Sequence, residues 1–241
     1  MEVYLPFSQE NLWFEIWPEL TLAIGALVVL GINLFSKSDA QSGLSGKIAI
    51  LFQAGLLIFH LFDYLAWHHT FDRDTFSGML SQGFQGDVMR SFFLLASLLV
   101  SIIGHRYLLK HSLRIGEFHH LTMLATAGLM LLCQSSHFLM LFVALECVAL
   151  CFYALVAFNR ESAKSLEAGI KYLIFGALSS SFLLFGIVLL YGVASNPELW
   201  GATFVGSEIR DPLSFDYLGD LIRENSDNLL IRTGIVLVIA V

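Results

Sequence analysis

The chain has 241 residues, of which 56% are hydrophobic and only 14% are charged. Soluble domains average about 25% charged residues, so a water-soluble fold of this composition would expose large apolar patches. The net charge of −7 does not indicate a soluble, acidic partner surface, because seven acidic residues are concentrated between Glu198 and Asp227. The composition therefore excludes an ordinary soluble domain and predicts an integral membrane protein.

The N-terminal segment does not have the pattern of a cleaved secretory signal. Such a signal needs a basic region before its apolar core and a small-residue cleavage site. The segment carries four glutamates and no Lys or Arg before Lys37. We therefore expect the first apolar segment to be retained as a helix.

Apolar segments long enough to cross a bilayer recur along the whole chain. We predict spans at about 17–35, 48–67, 91–109, 118–133, 137–158 and 168–193, followed by the start of a seventh span at 228–241. The seventh segment has 14 residues, and at the helical rise it covers only about 21 Å of the ~30 Å hydrocarbon core. The predicted fold is a single all-α domain, a polytopic transmembrane helix bundle with about six full spans.

The segments between these spans are predicted as connections. Residues 134–137 can form only a short turn between antiparallel helices, whereas 70–90, 159–167 and 195–227 are longer polar or charged stretches. Glu19 follows Pro18 at the start of the first span, where a carboxylate is stabilised by the positive end of the helix dipole. Trp67, with His68 and His69, is typical of a helix end at the membrane interface.

The distribution of Lys and Arg favours an N-terminus outside the membrane. In that orientation seven basic residues lie in inner connections: Lys37, Lys47, Arg106, Lys110, Arg114, Arg160 and Lys164. Five others fall outside: Arg73, Arg90, Arg210, Arg223 and Arg232. The short loops show the bias most clearly, which is where the positive-inside rule applies.

Two ionisable residues lie inside apolar spans. Glu146 is near the middle of the fifth span, and Lys171 is about one turn into the sixth. A charge at mid-membrane costs roughly 2.5–3.5 kcal/mol on insertion scales, and such residues often mark ion pathways. Glu146 could instead be a protonated carboxyl that joins two helices, and Lys171 could extend its long side chain to the interface. From the predicted span ends the two residues differ in depth by about 10 Å, which excludes a direct ion pair but permits a relay through water.

Other polar residues give weaker signals. His60 and Asp63 are three residues apart in the second span and could share a hydrogen bond, either as interfacial packing or as part of a relay. Histidine and cysteine spacings do not match a metal, haem or iron–sulfur site, and there is no glycine-rich nucleotide loop. We expect Cys133, Cys147 and Cys151 to be small core residues, and we expect this chain to bind no metal or cofactor and no nucleic acid.

Residues of the fifth and sixth spans carry a family resemblance. The segment 145–158, from Leu145 to Phe158, resembles the fifth helix of antiporter-like subunits of complex I, the NADH-quinone oxidoreductase. Segments 165–172, 176–177, 180–186 and 190–192 look like the sixth helix of subunit N in particular. The sequences Pro18-Glu19-Leu20 and Gly116-Glu117-Phe118 are also similar to that subunit. Cys151 stands where members often have Pro, and the helix-seven lysine of the family has no counterpart before Val241.

The resemblance implies an antiporter-like bundle of which this chain is the N-terminal portion. It implies proton translocation coupled to quinone reduction elsewhere in a complex, with Glu146 matching the helix-five Glu and Lys171 a helix-six Lys. Its partners would be other membrane subunits, with NADH and quinone reached only through the assembled complex, in a bacterial inner membrane. The alternatives are a subunit of a multi-subunit cation/proton antiporter, a structural or assembly subunit, and a seven-helix receptor.

Overall fold

The computed structural model describes residues 16–35, 43–66, 73–76, 78–111, 113–195, 211–225 and 227–240. Its helices are α1 (Trp17–Phe35), α2 (Leu44–Ala66), α3 (Phe84–Lys110), α4 (Ile115–Cys133), α5 (Phe138–Val156), α6 (Ala163–Ala194), α7 (Phe215–Glu224) and α8 (Leu229–Ile239). Two short strands, β1 (Arg73–Thr75) and β2 (Leu80–Gln82), form an antiparallel hairpin between α2 and α3. Trp67 and Val241, at the ends of two predicted spans, lie outside the described residues, as does most of 195–210.

Among the described residues, six helices, α1 to α6, are long and apolar enough to cross a membrane, and the predicted polytopic helix bundle is confirmed. The shorter α8 is apolar as well. We call the end of the bundle that carries Lys47, Lys110 and Arg114 the basic end, and the opposite end, which carries the β1–β2 hairpin, the hairpin end. Because each connection joins neighbouring helix ends, successive helices from α1 to α6 alternate in direction.

Helix α4 lies at the centre of the packing. It contacts α1, α3 and α5, and its most apolar stretch is more buried than that of any other described spanning helix. Leucine, valine, alanine and methionine side chains of α1 to α4 form one apolar core. Helix α6 packs against α5 on one side and α8 on the other, and a second apolar core joins α6, α7 and α8.

Within the polar segment 70–90, the described residues form two strands and the first turns of a helix, where only a connection was predicted. The hairpin pairs Arg73 with Gln82 and Thr75 with Leu80, and α3 begins at Phe84, before the predicted start at residue 91. Residues Asp87 and Arg90 reduced the apparent hydrophobicity of this first part of the helix. Their side chains form an ion pair with each other, so their charges are compensated inside the protein.

The segments 159–167 and 195–227 also contain helical residues that were predicted as connection. Helix α6 begins at Ala163, where the Ser162 hydroxyl accepts a hydrogen bond from the Ser165 N–H, as an N-cap does. Within the acidic segment, α7 begins after Ser214, whose side chain caps it in the same way. Tyr217, Leu218 and Leu221 follow helical spacing and are buried, while acidic residues occupy the exposed side.

Two glycines permit the close crossing of α6 and α8. A Cβ on Gly186 would lie 2.9 Å from the carbonyl oxygen of Gly234, and a Cβ on Gly234 would lie 3.1 Å from that of Gly186. Small residues of this kind allow helix backbones to approach each other inside membranes. The crossing fixes the position of α8 relative to α6.

Candidate functional site

Glu146 lies near the midpoint of α5. It follows Phe138, the first residue of the helix, by eight positions and precedes Val156, the last, by ten, so at the helical rise it is about 12 Å from one end and about 15 Å from the other. The side chain is partly buried, and its Oε1 atom is buried without a hydrogen-bond partner among the described residues. Glu146 thus lies near the middle of its helix, and its part in proton translocation stays a prediction.

One face of α5 packs against α4, and the opposite face carries Glu146. Ala144 and Val148 pack against α4, where a Cβ on Gly128 would lie 2.8 Å from Val148 Cγ2. Glu146 is about 200° around the helix from both of these residues, on the side that turns away from α4. Tyr153 lies two turns from Glu146 on that same side.

Tyr153 connects this face of α5 to α6. Its ring packs edge-on against Tyr172 with a centroid separation of 5.1 Å. Its hydroxyl lies directly against Gly176, because a Cβ built on Gly176 would be only 2.1 Å from the hydroxyl oxygen. In helices, aromatic side chains lean toward the N-terminus, so the hydroxyl is displaced from its own Cα toward Glu146. In the sequence analysis Tyr153 appears only within the segment 145–158 that carries the resemblance, although its seven-residue spacing from Glu146 was visible.

Lys171 and Glu146 are not brought together. The Lys171 ammonium donates a hydrogen bond to Glu167 Oε1 on its own helix, and 65% of the Lys171 side chain is exposed. A contact between Gly169 and Ala157 sets the register of α5 and α6. From it, Lys171 lies level with about residue 155, which is about 13 Å along the axis from Glu146. Any exchange of protons between the two requires intermediate groups.

His60 and Asp63 do not form the hydrogen bond that their spacing permits. The His60 ring is buried, its Nε2 lies 3.4 Å from the Asp87 carbonyl oxygen, and its centroid is 6.4 Å from that of Trp17. Asp63 is partly buried, and none of the described contacts joins it to His60. A role for either residue in a relay stays a prediction.

A buried ionic cluster at the hairpin end was not predicted. Arg90 donates from Nε to Glu19 Oε1 at 2.7 Å and from Nη2 to Glu19 Oε2 at 3.2 Å, which makes the pair bidentate. Its Nη1 donates to Asp87 Oδ1 at 3.1 Å, and Gln134 Nε2 donates to Glu19 Oε1 at 2.6 Å. Glu19, Arg90 and Asp87 are 2%, 4% and 7% exposed. Glu19 does lie in the first turn of α1, but its carboxylate binds Arg90 of α3, so the dipole interpretation was incomplete.

A second cluster of polar side chains, near the basic end, was also not predicted from the sequence. Ser101, His105 and His119 are buried between α3 and α4, and the two imidazole centroids are 5.6 Å apart. The ring nitrogens of both histidines and the Ser101 hydroxyl have no hydrogen-bond partner among the described residues. The spacing of Ser97, Ser101 and His105 along one face of α3 was the available signal.

The described residues do not bring three or more His, Cys, Asp or Glu side chains together in a way that could hold a metal ion. The three cysteines are free thiols. The expectation that this chain binds no cofactor stays a prediction.

Comparisons with known proteins concern the sequence and the fold of the chain. The sequence model of the family described as "NADH:quinone oxidoreductase/Mrp antiporter, TM" matches residues 135–218, a range that includes Glu146, Tyr153 and Lys171. NADH-quinone oxidoreductase subunit N 1 of Opitutus terrae is 45% identical over 234 residues, which are 95% of this chain and 44% of that protein. Subunit N of Xanthomonas euvesicatoria is 33% identical over 223 residues, covering 92% of this chain and 41% of that one. The chain thus spans less than half the length of these curated relatives.

Two solved structures share the fold. A chain of an archaeal respiratory membrane complex, the membrane-bound sulfane sulfur reductase, superposes with a TM-score of 0.70 at 20% identity, covering 94% of this chain and 43% of that one. A chain of respiratory complex I from Thermus thermophilus gives a TM-score of 0.61 at 23% identity, covering 92% and 42%. At these identities the likeness concerns the fold alone.

Proposed function

We propose a function from the premise that this chain belongs to the subunit N family of antiporter-like membrane subunits of NADH-quinone oxidoreductase. The chain forms part of a proton-translocating membrane subunit. In the assembled complex it couples the reduction of quinone, driven by NADH, to proton movement across the bilayer. Redox chemistry takes place in partner subunits, and the isolated chain has no catalytic activity of its own.

The observation that carries this proposal is the carboxyl of Glu146, at mid-span with a buried and unpartnered Oε1. A lone carboxylate in hydrocarbon is costly, whereas a neutral carboxyl is tolerated. The approach of water or a cation reverses that preference, because the charged form is then stabilised. A carboxyl in this position can therefore gain and lose a proton as its surroundings change.

Lys171 is the second relay residue of the proposal. Its distance from Glu146 requires water or further groups between them, and the Tyr153 hydroxyl lies on the face of α5 that leads from one to the other. His60 and Asp63 are secondary candidates at the hairpin end. The excess of Lys and Arg at the basic end supports an N-terminus outside and a multi-pass location in a bacterial inner membrane.

A second candidate function has specific support, because the matching family description includes Mrp antiporters. In that case the chain would belong to a cation/proton antiporter, and its loss would impair sodium-dependent growth at high pH without changing NADH oxidation. A purely structural subunit is the third possibility. For such a subunit, removing the titratable group of Glu146 would leave proton movement unchanged.

The test is Glu146→Gln in the full chain, with Glu161→Gln as the matched control. Glutamine keeps the volume and the hydrogen-bonding capacity of Glu146 but cannot titrate, and Glu161 is an exposed acid in the α5–α6 connection. We expect inverted membrane vesicles with Glu146→Gln to take up fewer protons per NADH oxidised, while Glu161→Gln matches the wild type. Wild-type proton uptake in a fully assembled Glu146→Gln complex would refute the relay.

A further inference from the structure

A long apolar groove runs along the outer side of α3, α4 and α5. It has a volume of about 480 Å³, and its walls come from residues 93–108 of α3, 118–129 of α4 and 152–156 of α5. At the helical rise these α3 and α4 segments extend for about 22 Å and about 16 Å, against about 15 Å for the hydrocarbon of one leaflet. The groove is therefore long enough for one lipid chain, and most of it lies in the half of the bundle toward the basic end.

The walls of the groove fit hydrocarbon rather than a polar ligand. Thr122 and Thr126 line it, but their hydroxyls donate to the carbonyl oxygens of Phe118 and Thr122 at 2.9 and 2.7 Å. Their hydroxyls are thereby satisfied within α4. A flexible acyl chain needs no directional partner, so it matches this surface.

Near the basic end the groove is lined by aromatic rings, and Arg114 and Arg160 directly follow the lining residues Leu113 and Asn159 in the chain. Phe118 and Phe158 both line it, and their rings meet edge-on with centroids 6.0 Å apart. Beside them, Glu117 accepts hydrogen bonds from Arg114 at 2.7 Å and from Arg160 at 3.1 Å. One carboxylate thus holds two guanidinium groups side by side, while their side chains stay 62% and 65% exposed. Each guanidinium has five N–H donors, so both retain capacity for a phosphate oxygen.

We propose that the α3–α4–α5 groove binds an anionic phospholipid, with one acyl chain in the groove and its phosphate between Arg114 and Arg160. Basic sites between transmembrane helices on the cytoplasmic side are suited to anionic headgroups, and aromatic rings are suited to the interface. The inference is independent of proton translocation, because it uses neither Glu146 nor Lys171.

The experiment measures phospholipid binding to the delipidated assembly that contains the full chain, by native mass spectrometry with phosphatidylglycerol or phosphatidylcholine added. Ala96→Phe fills the groove, and Ile103→Phe adds the same ring to an exposed position of α3 outside it. We expect Ala96→Phe to lose one bound phosphatidylglycerol and Ile103→Phe to retain it. Equal binding by these two variants would overturn the proposal.

The headgroup is tested separately at the surface, where substitutions do not disturb the core. The double variant Arg114→Gln/Arg160→Gln should bind phosphatidylglycerol about tenfold more weakly and lose the preference over phosphatidylcholine. An unchanged preference would contradict the placement of the phosphate. A photoreactive residue at Leu155 that cross-links a neighbouring protein instead of phospholipid would assign the groove to a protein partner and refute the lipid site.

Discussion

Arg90→Gln should be among the most destabilising single substitutions in this chain. The guanidinium of Arg90 makes two hydrogen bonds to Glu19 and one to Asp87, and all three side chains are almost completely buried. Glutamine is too short to replace this arrangement, so two acidic side chains would remain buried without a cation. Breaking a buried pair in this way costs about 3–5 kcal/mol.

For a chain of this size, that loss corresponds to a fall in the unfolding temperature of about 6–20 °C. The assay is thermal unfolding of the purified assembly in detergent, followed by fluorescence. Arg223→Gln is the control, because Arg223 is exposed in the last turn of α7 and its substitution should leave the unfolding temperature unchanged. The double variant Glu19→Gln/Arg90→Gln should recover part of the loss, since it removes one of the orphaned carboxylates. An unfolding temperature within about 2 °C of the wild type for Arg90→Gln would refute the reasoning.

Three further predictions follow from the packing and exposure of single residues. Gly176→Ala should displace the Tyr153 hydroxyl, because the added Cβ would lie only 2.1 Å from the hydroxyl oxygen, and we expect proton uptake to fall. Gly192→Ala is the control: a Cβ there would have no atom within 4 Å, so proton uptake should stay unchanged. Leu218→Ala should cost about 2–5 kcal/mol in thermal unfolding, because Leu218 is 1% exposed in the core that joins α7 to α6 and α8. Lys171→Gln should leave the unfolding temperature unchanged, because the ion pair of Lys171 with Glu167 is exposed. The same variant should lower proton uptake in vesicles, and unchanged uptake would exclude Lys171 from the relay.

The spanning helices could be predicted because their signal is local. A span is recognised from the total hydrophobicity of consecutive residues, and the predicted limits of α1 at residues 17 and 35 are those of the structure. This total underestimates a span whose charged residues are paired with residues that are distant in sequence. Asp87 and Arg90 lowered the apparent hydrophobicity at the start of α3, and the partner that buries Arg90 is Glu19, 71 positions earlier in the chain.

The position of Glu146 along its helix could be predicted from the sequence, but the residues around it could not. A single acid in an apolar span identifies Glu146 without knowledge of its neighbours. Which side of α5 faces α6, and how far Lys171 stands from Glu146, depend on the contacts of Gly169 and Gly176 with α5. Those contacts depend on how two whole helices pack, which the local sequence does not specify.

Infrared difference spectroscopy during turnover is the most direct test of the central claim, that Glu146 exchanges a proton inside the membrane. The carbonyl stretch of a protonated carboxyl is distinct from the bands of a carboxylate, and Glu146→Gln identifies the contribution of this residue. We expect a carboxyl band to change when NADH oxidation starts and to be absent from the difference spectrum of an assembled Glu146→Gln complex. A difference spectrum that is the same for both complexes would contradict the account.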